Sequence, residues 1–253
     1  MSKLDEFDEL PRRKMTLIFL IDKSGSMSGT KISTLNVAVQ EILPTLRDIA
    51  ADNVEAEIHV AALEYSTVAE WMYDSPQNAE QFQWRDVQAG GLTSMGAAFA
   101  KLEEKLHKET GFMKSATGSF APVFIHLSDG EPTDDYASGL AKLKSNSWFR
   151  YGIKIAIAIG HDANKQILCD FTGTPEAVLT VHNKEDLKAL IQFVTITSSK
   201  VGSSHNSNPD GNSDKQQELN EKIKDQIEGD PNNHIELGVD LDPNATAWPD
   251  DWD

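Results

Sequence analysis

The sequence is poor in cysteine and in basic residues, and each shortage narrows what the protein can be. Cys169 is the single cysteine among 253 residues, so no disulfide can form within the chain and no zinc site can be built from thiolates. Lysine and arginine number 23 against 40 aspartates and glutamates, which gives a formal net charge of −17. A chain this acidic repels a phosphate backbone, and we therefore expect no nucleic-acid partner.

Long hydrophobic runs are also lacking. The best apolar run, residues 17–21, is far shorter than the ~20 residues that a helix needs to cross a bilayer. The start of the chain is acidic, unlike the basic first part of a signal peptide. Together with the lone cysteine, these features predict a cytoplasmic protein with no membrane partner.

Composition divides the chain into three parts, an N-terminal extension at 1–11, a domain at 12–198 and a tail at 199–253. From residue 201 onward there are 13 acidic residues and three lysines, so the tail carries −10 of the net charge. We expect the tail to be largely disordered, because it has too little apolar surface to offset the entropy of ordering. Its Trp248 and Trp252 stand among acids, which favours docking to a partner.

One short helix is possible inside the tail. Leu219, Ile223 and Ile227 recur at helical spacing within 213–227, but they form only a narrow apolar stripe.

Residues 12–198 alternate apolar runs with amphipathic stretches, which predicts an α/β fold with a mainly parallel central sheet and helices on both faces. The runs at 54–64 and 68–73 are separated by too few residues for a parallel crossover, so we expect the second of them to be an antiparallel edge strand. The strand-like runs are 14–21, 54–64, 68–73, 121–127, 152–159 and 176–180, and the helix-like runs are 32–51, 96–108, 135–146, 163–171 and 184–195.

Three segments that follow strands or precede helices carry oxygen side chains. The first strand leads into Asp22, Ser24 and Ser26 at alternate positions, a glycine-rich loop carries Thr93, and a later strand leads into Asp129. Loops at the carboxyl ends of parallel strands share one edge of a sheet, so these side chains should converge. Two carboxylates and three hydroxyls, with no imidazole or thiolate, favour Mg²⁺ or Mn²⁺ and, less strongly, Ca²⁺. A carboxylate from another molecule could complete the shell.

The set Asp22-x-Ser24-x-Ser26, with Thr93 in a Gly-Gly-x-Thr loop and Asp129 in a Ser-Asp-Gly loop, resembles the metal-ion-dependent adhesion site of the von Willebrand factor type A (vWA) domain. The resemblance implies a Rossmann-like vWA fold. It also implies that the serines and the threonine supply hydroxyl oxygens, while the aspartates bind the metal directly or through water. The implied function is non-enzymatic: the metal binds a Glu or Asp of a protein partner.

The resemblance covers residues 12–198 and has a finer level. The loops at 90–98 and 127–134 are most similar to bacterial intracellular proteins of the tellurite-resistance TerY type. That similarity implies a partner among protein kinases or phosphatases, in a bacterial stress or signalling system.

Two other functions stay open at this stage. An aspartate after a first strand beside Mg²⁺ could act as a phosphatase nucleophile, which would make Asp22 catalytic. No second acid lies two residues further on, and the sequence has no phosphate-binding Gly-x-x-x-x-Gly-Lys-Ser/Thr loop and no Gly-x-Ser-x-Gly elbow. A scaffold acting through the acidic tail alone is the third possibility.

Several polar residues near the loops have simpler roles. We interpret His126 as a packed core histidine, Asp134 and Asp135 as caps of the following helix, and Glu131 as an exposed loop acid. His161 is interpreted as a solvated loop residue and Cys169 as a small buried apolar group.

Overall fold

The computed structural model describes residues 12–107, 109–113, 118–204, 211–229, 234–238 and 252. These residues form one sheet in the order β3-β2-β1-β5-β6-β7-β8, with β4 also pairing with β2. β1, β2, β5, β6 and β7 are parallel to one another. The strands are β1 Arg13–Asp22, β2 Ala56–Tyr65, β3 Ala69–Trp71, β4 Gln77–Asn78, β5 Val123–Ser128, β6 Ile153–Ile159, β7 Val178–Val181 and β8 Glu236–Leu237.

Helices cover both faces of the sheet, as the sequence predicts. Strand β1 shows why, because Leu17 and Phe19 point into one apolar cluster while Ile18 and Leu20 point into the other. The first cluster takes in α1, α6 and α7, and the second takes in α2 to α5. The helices are α1 Thr30–Asp52, α2 Met95–Lys105, α3 Tyr136–Ser145, α4 Ser147–Tyr151, α5 Lys165–Thr172, α6 Lys184–Ser203 and α7 Gly211–Gly229.

The edges of the sheet differ in detail from the prediction. β3 is an antiparallel edge strand, as expected, but β4 also pairs antiparallel with β2, and β8 pairs antiparallel with β7. The prediction of one antiparallel strand is therefore wrong in number, because β3, β4 and β8 all pair antiparallel. The strand predicted at 176–180 begins later, because Pro175–Ala177 forms a 3-10 turn before β7. The short helix α4 was not predicted.

The domain does not end at residue 198. Helix α6 continues to Ser203, and its last turns are buried, including Ser198 and Ser199. The hydroxyl of Ser198 donates to the Val194 carbonyl (2.5 Å) and that of Ser199 to the Thr195 carbonyl (2.7 Å). Because these bonds satisfy the hydroxyls inside the helix, a polar stretch can be buried against the sheet.

Helix α7 also packs on the domain. Leu219 and Ile223 are fully buried in the same apolar cluster as β1. The side chain of Gln216 accepts a hydrogen bond from the Lys154 backbone N–H (2.8 Å) and donates to the Lys154 carbonyl (3.1 Å). Gln216 thus takes the place of a neighbouring strand beside β6. The prediction of a largely disordered tail is wrong for 199–204, 211–229 and 234–238, while 1–11 and most of 239–253, including Trp248, lie outside the described residues.

A buried lysine joins α7 to the end of α6. The Lys215 ammonium donates to the carbonyls of Gly202 (3.0 Å) and Ser204 (2.6 Å), where a helix leaves its last carbonyls unsatisfied. Burial lowers the Lys215 pKa to about 8. Among the described helices, none is long and apolar enough to span a membrane.

Candidate metal centre

The five predicted site residues come together at the carboxyl edge of the sheet. β1 and β5 are parallel neighbours, so Asp22 at the end of one strand and Asp129 after the end of the other emerge side by side. Backbone hydrogen bonds tie the glycine-rich loop to the loop that follows β1: Gly25 N–H donates to the Gly91 carbonyl (3.0 Å), and Gly90 N–H donates to the Lys23 carbonyl (2.8 Å). These bonds hold the loop that carries Thr93 against the loop that follows β1.

The side chains of the site form a closely connected set of oxygens. The Ser24 and Ser26 hydroxyls lie 3.0 Å apart, and Ser26 donates to Asp129 Oδ1 at 2.7 Å. The Ser24 backbone N–H donates to Asp22 Oδ1 at 2.8 Å. Ser26 is exposed, whereas Asp22, Ser24, Thr93 and Asp129 are buried. The set is therefore open to solvent through one hydroxyl.

Gly130 borders a small space among these oxygens. A Cβ at this position would lie 3.3 Å from Ser26 Oγ, 3.6 Å from Thr93 Oγ1 and 3.8 Å from Asp22 Oδ2. Oxygens from two loops thus face one point on the third loop that the absence of a side chain at Gly130 leaves open. The donor set and the space both fit a small hard cation, which prefers carboxylate and hydroxyl oxygens.

We predict that Gly130→Ala weakens Mg²⁺ binding by about tenfold or more, comparable to the loss of a residue that orients a ligand. The new methyl group would enter the space that the three oxygens share, while the backbone at Gly130 has no positive φ that would strain an alanine. Calorimetric titration of both proteins measures the effect. Gly25→Ala is the matched control, because its Cβ would make an ordinary contact with the Gly91 carbonyl at 3.4 Å. Equal affinities of Gly130→Ala and wild type would contradict the prediction.

A buried polar network supports Asp22 from behind. Ser128 Oγ donates to Asp22 Oδ2 at 2.7 Å, and the Tyr65 hydroxyl lies 3.5 Å from the same oxygen. Burial raises the pKa of Asp22, although hydrogen bonds from Ser24 and Ser128 oppose the rise. A nearby cation would favour the charged form of a carboxylate in this position. Ser128 and Tyr65 were not predicted as site residues; the position of Ser128 next to Asp129 was the available signal.

His126 is a core histidine, as predicted. Its side chain is fully buried, its Nε2 lies 2.8 Å from the Tyr65 hydroxyl, and its ring contacts Phe99 and Phe171. Burial lowers the His126 pKa to about 3. The imidazole is therefore neutral at neutral pH and acts as part of the packing beneath the site.

This shift predicts a pH dependence of stability. Below pH of about 6.5 the imidazole of the unfolded chain takes up a proton, whereas the buried ring resists protonation until its pKa of about 3. The unfolded state then binds more protons, so stability falls with falling pH, by about 1.4 kcal/mol per pH unit for this one group. Urea unfolding of wild type and His126→Gln gives the free energy of unfolding at each pH between 6 and 4. Plotted against pH, this free energy should have a shallower slope for the variant. Parallel curves would contradict the assignment.

Lys31 is a site neighbour that sequence reasoning missed. Its ammonium lies 2.7 Å from Asp129 Oδ2, and the two side chains are 16% and 0% exposed. Lys31 belongs to the first turn of α1, where the helix dipole disfavours a cation. The Asp129 carboxylate offsets this unfavourable interaction with the dipole, and the ion pair balances the charges of both side chains. No motif in the sequence connects the two residues, which are 98 positions apart.

The acids around the site have structural roles. Asp135 caps α3 by accepting from the Ser138 N–H, as predicted. Asp134 does not cap that helix: it accepts from the N–H groups of Gly96 and Ala97 at 2.9 Å each, at the start of α2. The prediction was wrong here because the acid reaches a helix from another part of the chain.

Three further residues lie near the same edge or beyond it. Glu131 is exposed and accepts a hydrogen bond from Asn164 at 3.3 Å. His161 is exposed and pairs with Asp162 at 2.9 Å, so it is a loop residue as predicted. Cys169 is half-buried rather than buried, and burial raises its pKa.

The fold and the loops at the carboxyl edge of the sheet together define an α/β domain with a candidate divalent-metal site built from three loops. The family model of the von Willebrand factor type A domain matches residues 16–195, and the chain belongs to this family.

Similar proteins come from distant sources. The human collagen alpha-6(VI) chain is 27% identical over 181 residues, which are 69% of this chain and 7% of that protein. The structure of a von Willebrand factor type A protein from Catenulispora acidiphila matches with a TM-score of 0.54 and 18% identity, over 74% of this chain and 43% of that one. Proximal thread matrix protein 1 from the mussel byssus, with a zinc-occupied MIDAS motif, matches with a TM-score of 0.56 and 17% identity, over 73% and 48%. This chain therefore spans less than half the length of each of these relatives, and the structures show the shared fold alone.

Proposed function

We propose that the protein is a non-enzymatic, divalent-metal-dependent protein-binding module. Asp22, Ser24, Ser26, Thr93 and Asp129 hold Mg²⁺ or Mn²⁺, with Ca²⁺ less favoured, and the bound cation accepts a Glu or Asp side chain of a protein partner. The observation that carries the proposal is the convergence of oxygens from three loops. Oxygens of Asp22, Ser26 and Thr93 lie beside Gly130, and the Ser26 hydroxyl donates to Asp129 Oδ1 at 2.7 Å. Because three of the five donors are neutral hydroxyls, a bound cation retains affinity for one more carboxylate. The zinc-occupied motif of the byssus protein supports the choice of a divalent ion.

The alternative in which Asp22 is a phosphatase nucleophile is not favoured. The Asp22 side chain is fully buried, and both of its oxygens accept hydrogen bonds, Oδ1 from Ser24 N–H and Oδ2 from Ser128. A nucleophile must reach the phosphorus of a bulky substrate, which a side chain without solvent exposure does not, whereas a small cation needs only the space beside Gly130 next to Asp22 Oδ2. Domains of this family are usually binding modules without catalysis. A scaffold that acts through the acidic tail alone is also less favoured, because α7 is packed into the domain.

The surface beside the site indicates what accompanies the partner's acid. Leu92 and Val68 are 57% and 55% exposed, next to Thr93 and Thr67 in sequence. The Thr67 hydroxyl accepts a hydrogen bond from the Leu92 N–H at 3.1 Å, which brings the two segments together. A partner segment with a branched apolar residue close to its Glu or Asp fits this surface. The metal also explains how an acidic chain attracts an acidic partner, since the cation reverses the local field.

At a finer level, we extend the proposal to an adaptor of the TerY type that works in the bacterial cytoplasm beside a protein kinase or phosphatase. The loop sequences at 90–98 and 127–134 support this version. The absence of a cysteine pair within the sequence is consistent with a reducing compartment. The family comparisons support the domain and do not reach this subfamily.

An array of synthetic peptides tests the proposal. Each peptide presents a single Glu or Asp flanked by leucine or valine, and its twin carries Gln or Asn instead. The full chain should bind members of the acidic set in Mg²⁺, lose them in EDTA and lose them with the amide twins. Leu92→Ser should weaken binding without changing the affinity for Mg²⁺. Binding that survives both EDTA and Thr93→Ala would overturn the proposal.

A further inference from the structure

Trp252 does not stand free at the end of the chain. Its indole is partly buried and packs against the large apolar cluster that includes β1 and α1. The Lys31 ammonium lies 5.7 Å from the centroid of the indole ring, within the range of a cation–π contact. The last tryptophan of the sequence is therefore placed near the start of α1, and not in solvent as an anchor for a partner.

The same ammonium contacts the candidate metal site. Lys31 Nζ is 2.7 Å from Asp129 Oδ2, and the Asp129 side chain has no solvent exposure. The Lys31 ammonium is thus close to both a buried site carboxylate and the Trp252 indole. Because a cation in the first turn of a helix is disfavoured by the dipole, the carboxylate and the indole are what offset its cost.

Within the part of the chain that the structure describes, the indole N–H of Trp252 is not satisfied. Trp252 Nε1 is buried and has no hydrogen-bond partner among the described residues. A buried donor without a partner costs about 1–3 kcal/mol. The indole therefore occupies its place with a penalty that a segment with a better placed acceptor would avoid. An occupant of this kind can be displaced.

We propose that the surface beside Lys31 is a binding site for a tryptophan flanked by acidic residues, which this chain fills with its own Trp252 and which a partner segment of the same chemistry can take over. Two features define the ligand. The indole packs on the apolar cluster within cation–π distance of the Lys31 ammonium, and acids next to the tryptophan would add attraction to the same ammonium. In the sequence, Trp252 is flanked by Asp251 and Asp253, so the chain's own segment has this composition.

The site has a consequence that rests on the proposed metal-binding function. A divalent cation bound against Asp129 would repel the ammonium 2.7 Å from the same carboxylate. Metal and Trp252 therefore oppose each other through Lys31. By thermodynamic linkage, the metal loosens Trp252, and removal of Trp252 or of the Lys31 charge tightens metal binding.

The tryptophan site is tested first without metal. A fluorescein-labelled peptide of residues 246–253 is titrated in EDTA with the full-length protein, and anisotropy reports binding. Trp252→Ala should bind the peptide at least about fivefold more tightly than wild type, because its own occupant is gone. Adding Lys31→Met to Trp252→Ala should abolish that gain, whereas adding Lys142→Met, a change at an exposed lysine of α3, should not. A peptide whose last tryptophan is alanine keeps the charge and should bind weakly to every protein.

Several outcomes would overturn the inference. Equal peptide affinity for wild type and Trp252→Ala contradicts occupation by the chain's own residue. Equal affinity with and without Lys31, or for the alanine peptide, contradicts a site that recognises an indole beside a cation. Melting curves of the variants establish that each protein is folded. An independent check keeps the wild-type fold. In protein labelled with 5-fluorotryptophan, the ¹⁹F resonance of Trp252, identified by its loss in Trp252→Phe, should shift when excess unlabelled peptide, which contains no fluorine, is added.

Calorimetry with Mg²⁺ separates this inference from the proposed function. Lys31→Met and Trp252→Ala should each bind Mg²⁺ about threefold to tenfold more tightly than wild type, in the range of typical coupling between sites. If the peptide affinity depends on Lys31 and Trp252 but no protein binds Mg²⁺, the proposed function fails and the tryptophan site stands. If Mg²⁺ binds but the peptide affinity does not depend on either residue, the tryptophan site fails and the proposed function stands.

Discussion

Asp22→Asn is expected to lower the affinity for Mg²⁺ by at least about 100-fold, since even residues that only orient a metal ligand account for 10- to 100-fold. The substitution removes the charge and keeps the shape. The remaining carbonyl oxygen can still accept the Ser24 N–H bond, which is 2.8 Å long in the native protein. The fold at the end of β1 should therefore persist, and the change in affinity reports the lost carboxylate. Asp129→Asn should have a similar effect on Mg²⁺ and should also release Lys31 from its 2.7 Å contact.

The control for this experiment is a change of the same kind at the same rim. Glu131→Gln removes one negative charge from an exposed residue that has a single hydrogen bond to Asn164. Titration calorimetry with Mg²⁺ and Mn²⁺ should give nearly the wild-type affinity for Glu131→Gln. If Asp22→Asn and Asp129→Asn also retained wild-type affinity, the assignment of the site to these residues would be wrong.

The central sheet was predictable because its signal is local. Strand β1 is apolar on both faces, so its position is evident from sequence alone, and the motif residue Asp22 lies at its end. The parallel order then brings Asp129 to the same edge without any further information. The five residues follow from strand ends plus a loop, and for that reason the sequence suffices to bring them together.

The residues that modify the site were not predictable, for a physical reason. Lys31 and Tyr65 contact Asp129 and Asp22 only through tertiary packing, across 98 and 43 positions of sequence. A lysine in a helix and a tyrosine in a strand have ordinary explanations where they stand. Their roles depend on side-chain placement between elements, and neither has a motif. Helix α1 was expected from its periodicity, but the direction of one side chain in its first turn was not.

The tail was misjudged because its composition conceals how it is buried. Three apolar residues of α7 form too narrow a stripe for an isolated helix, yet two of them enter a core that the sheet already provides. Polar groups then complete the contact: Gln216 pairs with the backbone of Lys154, and Lys215 caps α6. Average charge was a poor guide, since Glu221, Asp225 and Glu228 are exposed while the apolar residues face the core.

Leu219→Ala is expected to destabilise the whole domain by about 2–4 kcal/mol, the usual cost of removing a buried leucine side chain and leaving a cavity. Leu219 has no solvent exposure and belongs to the cluster that contains β1 and α6. Gln226→Ala, at an exposed position of the same helix, is the matched control and should change stability by less than about 0.5 kcal/mol. Urea unfolding followed by circular dichroism measures both.

The shape of the transition carries as much information as its midpoint. If α7 is part of the domain, Leu219→Ala lowers the midpoint of a single cooperative transition and leaves its slope unchanged, because the same surface is exposed on unfolding. If α7 were a separate tail, Leu219→Ala would unfold this helix alone. The helical circular dichroism signal would then fall slightly, and the main transition would keep the wild-type midpoint. Ile223→Ala should reproduce the first result, since Ile223 is equally buried one turn further along. A domain that includes α7 also explains why residues beyond the family match at 16–195 are retained in the core: they cover β6 and the end of α6, which would otherwise expose backbone groups and apolar surface to water.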